Sequence, residues 1–211
     1  VHALGMKFLI WFSVPFVGVH SSVYKRFEGK YLSHNARRDT AVLDPRFKEV
    51  RDYLVNIYSD AIKAYGWDGL KLDFIDSFKL SSESSTDFDA MDTVSLEDAV
   101  YKLLDEVYSK VTEINPEFMI EFRQSYVGPV IGKYGNIFRV SDCPYDSISN
   151  KIGAISLRLT SGTTAVHSDM IMWNKNDTNE SVLYQLLGVM FAVPQISVRF
   201  DTITSDHKKL L

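Results

Sequence analysis

Two charged residues, Lys71 and Asp73, are separated by one residue in the apolar run 69–74 and could act together on a ligand. Successive side chains of a β-strand point to opposite faces, so residues two apart share one face. If that face is a packed interior, an unpaired charge there is very costly, whereas a lysine and an aspartate can neutralise each other. The pair therefore indicates either a catalytic carboxylate beside an ammonium group or a buried ion pair that closes the fold.

A second charged group follows at Arg139, Ser141 and Asp142. Arg139 and Ser141 would share one face of a strand, and Asp142 would lie at its end, where the next loop can turn it inward. Asp73 and Asp142 would then supply the two carboxyl groups that glycoside hydrolysis needs, one ionised and one protonated. The neighbouring lysine would keep Asp73 ionised, whereas Asp142 would need a drier or more negative setting to hold its proton. The alternative is that Asp142 only caps the turn before Pro144.

A histidine and an aspartate, His167 and Asp169, form the third charged group, and this spacing suits a hydrogen-bonding clamp or part of a metal site. A metal is not expected, because no second cluster completes a ligand set. Ser168 would lie on the opposite strand face and no Gly-x-Ser-x-Gly turn occurs, so a serine triad is not expected either. The remaining histidines are scattered, three near the start of the chain and one in a final helix expected to be exposed: His2, His20, His34 and His207.

Composition narrows the class of protein. The chain has 211 residues, 45% of them apolar, and a net charge of −4 without a long run of one sign. Such a chain can bury a sizeable core, and neither nucleic acid nor a membrane surface is its expected partner. Cys143 is the only cysteine, so no internal disulfide can form. The aromatic share of 13% suits core filling or platforms for sugar rings.

The beginning of the chain was assessed for targeting signals. The apolar stretch 8–19 contains Pro15 and Gly18 and lacks a basic leader, so we interpret it as a buried strand and its loop. No run reaches the roughly 18 apolar residues of a membrane span. The opening residues 1–5 resemble the end of a helix, which suggests a piece of a longer protein.

Six short apolar runs alternate with helical stretches, which is the pattern of a parallel α/β fold. The predicted strands are 6–12, 69–74, 118–123, 137–142, 164–169 and 196–200. One helix is predicted to start at the cap Asp44-Pro45 and a second at the capping box that begins with Ser95. A third is predicted over 180–193 and would be stopped by Pro194.

A closed (β/α)₈ barrel is favoured over an open doubly wound sheet. An open sheet would usually carry a glycine-rich phosphate turn after its first strand, and none is present. Charged residues end five of the six runs, and barrels form their active sites at the carboxyl ends of their strands. The polar segment 79–93 is expected to be a loop over the mouth of the site or a disordered surface loop. The five charged residues are Asp73, Arg123, Asp142, Asp169 and Arg199.

At these residues the sequence resembles the melibiase-type α-galactosidases of glycoside hydrolase family 36, with related patterns in families 27 and 31. The resemblance implies a (β/α)₈ barrel, present as a fragment that covers strands three to eight within one catalytic domain, residues 1–211. An aspartate-rich motif on an earlier strand would then lie before Val1. One spacing departs from the family, since the arginine precedes Asp142 by three residues and not by four. The matching segments are Gly5–Phe8 with Trp11, Leu43–Arg46, Lys71–Asp73, Arg139 with Ser141–Asp142, and His167–Asp169 with Trp173.

The resemblance also implies a reaction and a set of roles. The expected activity is that of a retaining, exo-acting α-galactosidase, with Asp73 as nucleophile and Asp142 as acid/base. A glycoside or oligosaccharide is the expected partner and no metal or organic cofactor is implied, while a homo-oligomer and the compartment are left open. The side chains expected to contact substrate are Trp11, Lys71, Arg123, Arg139, His167, Asp169 and Trp173.

Three other functions are considered. The pattern Trp-Asp-Gly-x-x-x-Asp at 67–73 is similar to family 31 α-glucosidases, so an α-glucoside is an alternative substrate. A carbohydrate-binding barrel without catalysis would not need two acids. A phosphate-binding barrel such as an aldolase would need a glycine-rich turn near the last strands, where Gly162 stands alone.

Overall fold

The computed structural model describes residues 1–211, which form two compact units, residues 1–120 and residues 121–211. The chain is a mixed α/β protein with six strands in parallel pairings, as the alternation of apolar runs predicted. No helix combines the length and the apolar character needed to traverse a lipid bilayer.

The first unit joins one pair of parallel strands to a small antiparallel sheet. β1 and β5 run parallel, in a register that sets Trp11 opposite Lys71 and Ser13 opposite Asp73. The antiparallel sheet has the order β2-β4-β3 and was not predicted. The elements of this unit are β1 (Leu9–Ser13), β2 (Phe16–Gly18), β3 (Tyr31–Asn35), β4 (Thr40–Leu43), α1 (Lys48–Tyr65), β5 (Gly69–Asp73) and α2 (Leu96–Ile114).

The two helices of the first unit bury apolar faces and share an ionic contact, between Arg51 of α1 and Glu106 of α2 at 3.2 Å. Their first turns are capped differently. Ser95 caps α2 as predicted, because its side chain accepts a hydrogen bond from the Asp98 amide at 3.2 Å. The start of α1 was predicted too early, since the helix begins at Lys48. Asp44 is fully buried and uses its carboxylate to pair with Arg46 at 2.7 Å, so it does not cap the helix.

The polar segment 79–93 is a loop, as predicted, and it is hydrogen-bonded to the rest of the first unit. The Ser84 hydroxyl donates to the Leu32 carbonyl at 3.0 Å, and Glu83 pairs with His34 at 2.5 Å. The Arg46 guanidinium donates to the Ser85 carbonyl at 3.0 Å. These bonds order the loop against β3 and the residues that follow β4.

The second unit contains four parallel strands in the order β6-β7-β8-β9, flanked by helices. β6 straddles the boundary between the units. The apolar core of the second unit includes Ile171, Trp173, Val182, Val189 and Ile203. The elements are β6 (Met119–Arg123), β7 (Ile137–Arg139), α3 (Ser147–Thr160), β8 (Ala165–Ile171), α4 (Asn179–Gly188), β9 (Val193–Ile196) and α5 (Ser205–Lys209).

Three predictions about the end of the chain were wrong. The last strand is Val193–Ile196 and not 196–200, and the preceding helix already ends at Gly188. Pro194 therefore does not stop a helix but lies in β9, the outermost strand of this sheet, where a missing N–H is tolerated. His207 is buried, with 2% of its surface exposed, and its Nε2 lies 2.9 Å from the Asp177 carbonyl oxygen.

Candidate active site

Asp73 is the last residue of β5 and is buried, with 6% of its surface exposed. Both carboxylate oxygens accept hydrogen bonds. The Trp11 indole N–H donates to Oδ2 at 3.0 Å, and the Phe74 amide donates to Oδ1 at 2.8 Å. Donors on both oxygens stabilise the ionised form of a carboxyl group. Asp73 is therefore held in one orientation at the end of its strand.

The Trp11 side chain combines a fixed position with an open surface. Its ring packs edge-on against Phe74, with centroids 6.2 Å apart, and its indole nitrogen is held by Asp73. Even so, 51% of the Trp11 surface is exposed. The register of β1 and β5 places Lys71 opposite Trp11, and Lys71 shares a strand face with Asp73. The structure thus brings together three of the predicted site residues of the first unit.

Arg139 is the centre of a second charged cluster, in the second unit. It is the last residue of β7 and only 3% of its surface is exposed. Its guanidinium faces three carboxylates, pairing through Nη1 with Asp169, through Nη2 with Asp142 at 2.6 Å, and through Nε with Glu121 at 3.5 Å. The fixed fork of an arginine side chain can orient several carboxylates at once. The spacing of three residues between Arg139 and Asp142 is therefore compatible with direct contact.

Burial separates the three carboxylates around Arg139. The side chains of Asp169 and Glu121 are 0% and 6% exposed, whereas that of Asp142 is 64% exposed. Asp142 was predicted to end a strand over 137–142, but β7 ends at Arg139 and Asp142 lies in the loop that follows. Loop placement gives Asp142 its exposure. Within the Arg139 cluster, Asp142 is the carboxylate that a ligand can reach.

Asp169 lies within β8 and not at its end, which corrects the predicted strand boundary. Its Oδ2 accepts a hydrogen bond from the Cys143 amide at 2.5 Å. Asn150 holds its backbone from α3, with Oδ1 accepting from the Asp169 amide at 2.8 Å and Nδ2 donating to its carbonyl at 3.0 Å. Asp169 was predicted to contact substrate; in the structure its fully buried carboxylate contacts Arg139 and the loop that carries Asp142.

Cys143 adjoins this cluster and is electrostatically linked to it. Burial raises the pKa of its thiol to about 12, and the negative charge of Asp169 contributes to the same shift. The thiol therefore stays protonated near neutral pH.

His167 lies in a looser polar group with Glu121 and Gln195. Its Nδ1 lies 3.4 Å from a Glu121 oxygen, and the Gln195 amide nitrogen lies 3.5 Å from Glu121 and 3.4 Å from His167. The His167 side chain keeps 20% of its surface exposed. The structure thus joins His167 to the Arg139 cluster through Glu121.

Sequence reasoning missed three members of the cluster, Glu121, Asn150 and Gln195. Glu121 could have been found, because it and Arg123 are two apart on one strand, the same signal that singled out Lys71 and Asp73. Asn150 lies on α3, a helix that was not predicted, and Gln195 lies in the strand that was placed wrongly.

Three predicted residues lie outside these clusters. Arg123 ends β6 as predicted, and its guanidinium lies 5.5 Å from the centroid of the Tyr126 ring. Trp173, also predicted to contact substrate, is 5% exposed and belongs to the apolar core of the second unit. Arg199 does not end a strand, and it pairs with Asp201 on the surface at 2.5 Å.

The chain matches no protein-family model and no curated protein sequence, but its fold is similar to that of several solved enzyme structures. An α-galactosidase from Lactobacillus brevis superposes with a TM-score of 0.71 at 18% identity, covering 99% of this chain and 29% of that one. The family 36 α-galactosidase AgaA from Geobacillus stearothermophilus gives 0.71 at 17%, covering 99% and 30%. TtGalA, an α-galactosidase from Thermus thermophilus in complex with stachyose, gives 0.69 at 15%, covering 99% and 49%.

This chain therefore spans less than half the length of these three proteins. Identities of 15–18% establish a shared fold and nothing more. At that level the resemblance found in the sequence is confirmed: the chain has the fold of part of the family 36 α-galactosidase structures.

Proposed function

We propose that the protein is a retaining, exo-acting α-galactosidase that hydrolyses terminal α-galactosides, with Asp73 as nucleophile and Asp142 as acid/base. The observation that carries the proposal is the contrast between two carboxyl groups. Asp73 is buried at a strand end with a donor on each oxygen, whereas Asp142 is exposed beside a buried arginine. Retaining glycosidases need this division between a fixed, ionised nucleophile and a second carboxyl group that exchanges protons.

In the proposed reaction a carboxylate oxygen of Asp73 attacks the anomeric carbon while Asp142 gives its proton to the leaving glycosidic oxygen. The products of this step are a covalent galactosyl-enzyme and a free aglycone alcohol. Asp142, now ionised, removes a proton from water, and the resulting attack on the anomeric carbon releases galactose and restores both acids. Two displacements at one carbon retain its configuration.

The ion pair between Arg139 and Asp142 suits the second step of the proposed reaction and must break in the first. In the second step, the Arg139 guanidinium at 2.6 Å would orient the Asp142 carboxylate that activates water. Donation of a proton in the first step requires Asp142 to turn away from Arg139. The 64% exposure of its side chain leaves room for that rotation.

The substrate class is proposed from the solved structures of similar fold together with the first-unit site. One of these is an α-galactosidase in complex with stachyose and another is an AgaA variant in complex with raffinose. We extend to this chain a terminal galactosyl group linked to a sugar aglycone. The half-exposed Trp11 ring would face the sugar, and Lys71, Arg123 and His167 would bind hydroxyl groups.

Kinetics of single-residue variants of the full-length protein test the two roles. Asp73→Ala should abolish turnover of both p-nitrophenyl α-galactoside and raffinose. Asp142→Ala should lose far more activity on raffinose than on the aryl substrate, because p-nitrophenolate leaves without protonation. Asp76→Ala removes an exposed acid three residues after Asp73 and serves as the control.

Equal losses on the two substrates in Asp142→Ala would remove its role as acid. A loss in Asp76→Ala as large as that in Asp73→Ala would remove the role of Asp73. Faster turnover of p-nitrophenyl α-glucoside than of the galactoside would make an α-glucoside, and not an α-galactoside, the proposed substrate.

A further inference from the structure

A cavity on the antiparallel half of the first unit shares no residue with the Asp73 site. Its volume is about 620 Å³, within the roughly 300–1,000 Å³ typical of small-molecule sites. We call it the hairpin cavity, because β3 contributes Tyr31 and His34 and the turn before β3 contributes most of the rest. Its walls include Tyr24, Lys25, Glu28, Gly29, Tyr31 and His34.

A hydrogen-bond chain fixes the polar wall of this cavity. His34 Nδ1 lies 2.5 Å from Glu83, and His34 Nε2 lies 2.9 Å from the Tyr24 hydroxyl. An ionised carboxylate can only accept, so Nδ1 of a neutral His34 carries the hydrogen and Nε2 accepts from the Tyr24 O–H. The Tyr24 oxygen keeps its lone pairs for a ligand that donates a hydrogen bond. Glu83 belongs to the ordered loop 79–93, so a residue outside the cavity holds this hydrogen-bond chain in place.

A stacked pair of rings forms the flat wall. Tyr24 and Tyr31 lie nearly parallel, with ring centroids 4.9 Å apart and an interplanar angle of 13°. Tyr31 is buried and donates its hydroxyl hydrogen to the Tyr24 carbonyl oxygen, so the inner ring cannot move. Gly29 has a φ of 77°, and a Cβ there would meet no atom within 4 Å. The cavity is thus open beside a rigid aromatic surface.

The charges of the walls cancel. Lys25 supplies one positive charge and Glu28 one negative charge, while burial and the nearby Tyr24 and Glu28 raise the pKa of Tyr31 to about 12. Tyr31 is therefore neutral at physiological pH. Such walls give no net preference for an anion or a cation, but they offer both donors and acceptors next to a flat ring.

We propose that the hairpin cavity is a second carbohydrate site, which binds a neutral pyranose ring against the Tyr24–Tyr31 pair. A pyranose has an apolar face that covers an aromatic ring and a rim of hydroxyl groups that both donate and accept. Lys25 can donate hydrogen bonds to that rim and Glu28 can accept them. The proposal goes beyond the catalytic function and does not depend on it, because binding here requires no reaction.

Isothermal titration calorimetry of the full-length protein with methyl α-D-galactopyranoside tests the site. Tyr24→Leu should weaken one class of site by about tenfold, the loss expected when roughly 1.4 kcal/mol of ring contact disappears. Glu28→Gln should weaken the same class without disturbing packing, since Glu28 is exposed. Both variants should keep the wild-type rate on p-nitrophenyl α-galactoside.

Tyr65→Leu is the control, because Tyr65, like Tyr24, is a tyrosine stacked on another aromatic ring, that of Trp67 at 5.4 Å, and it lies outside the hairpin cavity. It should leave the isotherm unchanged. The proposal is overturned if no saturable site responds to both Tyr24→Leu and Glu28→Gln, or if Tyr65→Leu has the same effect. Tighter binding of galacturonate than of the neutral glycoside would also overturn it. If the protein proves inactive as a galactosidase, loss of a single site in Tyr24→Leu still supports the cavity, so the two proposals fail separately.

Discussion

Replacement of Asp169 by asparagine should destabilise the protein far more than the same replacement of Asp142. Both carboxylates pair with Arg139, and both substitutions keep the shape of the side chain while removing its charge. They differ in burial, because the Asp169 side chain is 0% exposed and the Asp142 side chain is 64% exposed. The comparison therefore isolates the effect of burial on one arginine's ion pairs.

The expected size follows from the environment of each pair. Removing one partner of a buried ion pair costs about 3–5 kcal/mol, because it leaves the other charge uncompensated. Asparagine keeps one acceptor oxygen, and Arg139 still faces Glu121 and Asp142, so Asp169→Asn should cost about 3 kcal/mol, the lower end of that range. An exposed pair contributes about 0–1 kcal/mol, which sets the expectation for Asp142→Asn.

Thermal denaturation of the two variants and the wild type, followed by far-UV circular dichroism, measures the difference in Tm. For a protein of about 200 residues, 3 kcal/mol corresponds to a fall in Tm of about 6–12 °C. Asp142→Asn should melt within about 4 °C of the wild type by the same conversion. Equal losses in the two variants would refute the argument, because they would show that the Asp169 pair is not a buried one that matters to the fold.

Three further predictions test other parts of the structure. Gly69→Ala should lower Tm by several degrees, because its Cβ would lie 2.6 Å from a backbone carbonyl oxygen. Gly18→Ala should not lower Tm, because no atom lies within 4 Å of a Cβ at that position. Equal melting curves for the two variants would contradict this. Trp11→Phe keeps a ring but loses the hydrogen-bond donor to Asp73, so kcat/KM on p-nitrophenyl α-galactoside should fall; an unchanged kcat/KM would show that this hydrogen bond does not position Asp73. Folding raises the pKa of Cys143 from 9.0 to about 12, so between pH 9 and 12 the thiol loses its proton in the unfolded chain but keeps it in the folded one. The free energy of unfolding is therefore unaffected by this group below pH 9 and falls as the pH rises from 9 to 12. In urea titrations, Cys143→Ala should lose less stability than the wild type over that interval.

Much of the first unit and of its candidate site could be predicted from local signals. The strand ending at Asp73 was located to within one residue, because its apolar run is short and begins at a glycine. The capping box at Ser95 marked the start of α2, because the side chain satisfies a backbone N–H that the helix cannot. The shared face of Lys71 and Asp73 needed only the period of a strand.

The second unit was harder to predict, and the reason is visible in its elements. α3 buries only Asn150, Ala154 and Leu157, while Ile152 and Leu159 are exposed, so its sequence lacks the apolar face that predicts a helix. The burial of Asp169 under Arg139 depends on tertiary packing and left no trace in the spacing of the residues.

Pro194 was taken as a helix stop because proline usually breaks helices and central strands. In β9 the residue lies in an outer strand, and only the sheet order reveals that position. The strands β2–β4 were missed for other reasons: residues 16–18 were taken as part of the loop after the first strand, and β3 ends in the polar residues Ser33, His34 and Asn35 and so lacks an apolar run.

The central claim, that Asp73 is the nucleophile of a retaining α-galactosidase, is tested most directly by trapping the intermediate. The full-length protein would be incubated with 5-fluoro-α-galactosyl fluoride, whose fluorine slows hydrolysis of the glycosyl-enzyme, then digested and sequenced by mass spectrometry. We expect a single fluorogalactosyl ester on the Asp73 side chain. A label on any other carboxylate, or an active enzyme that releases β-galactose as its first product without any label, would contradict the account.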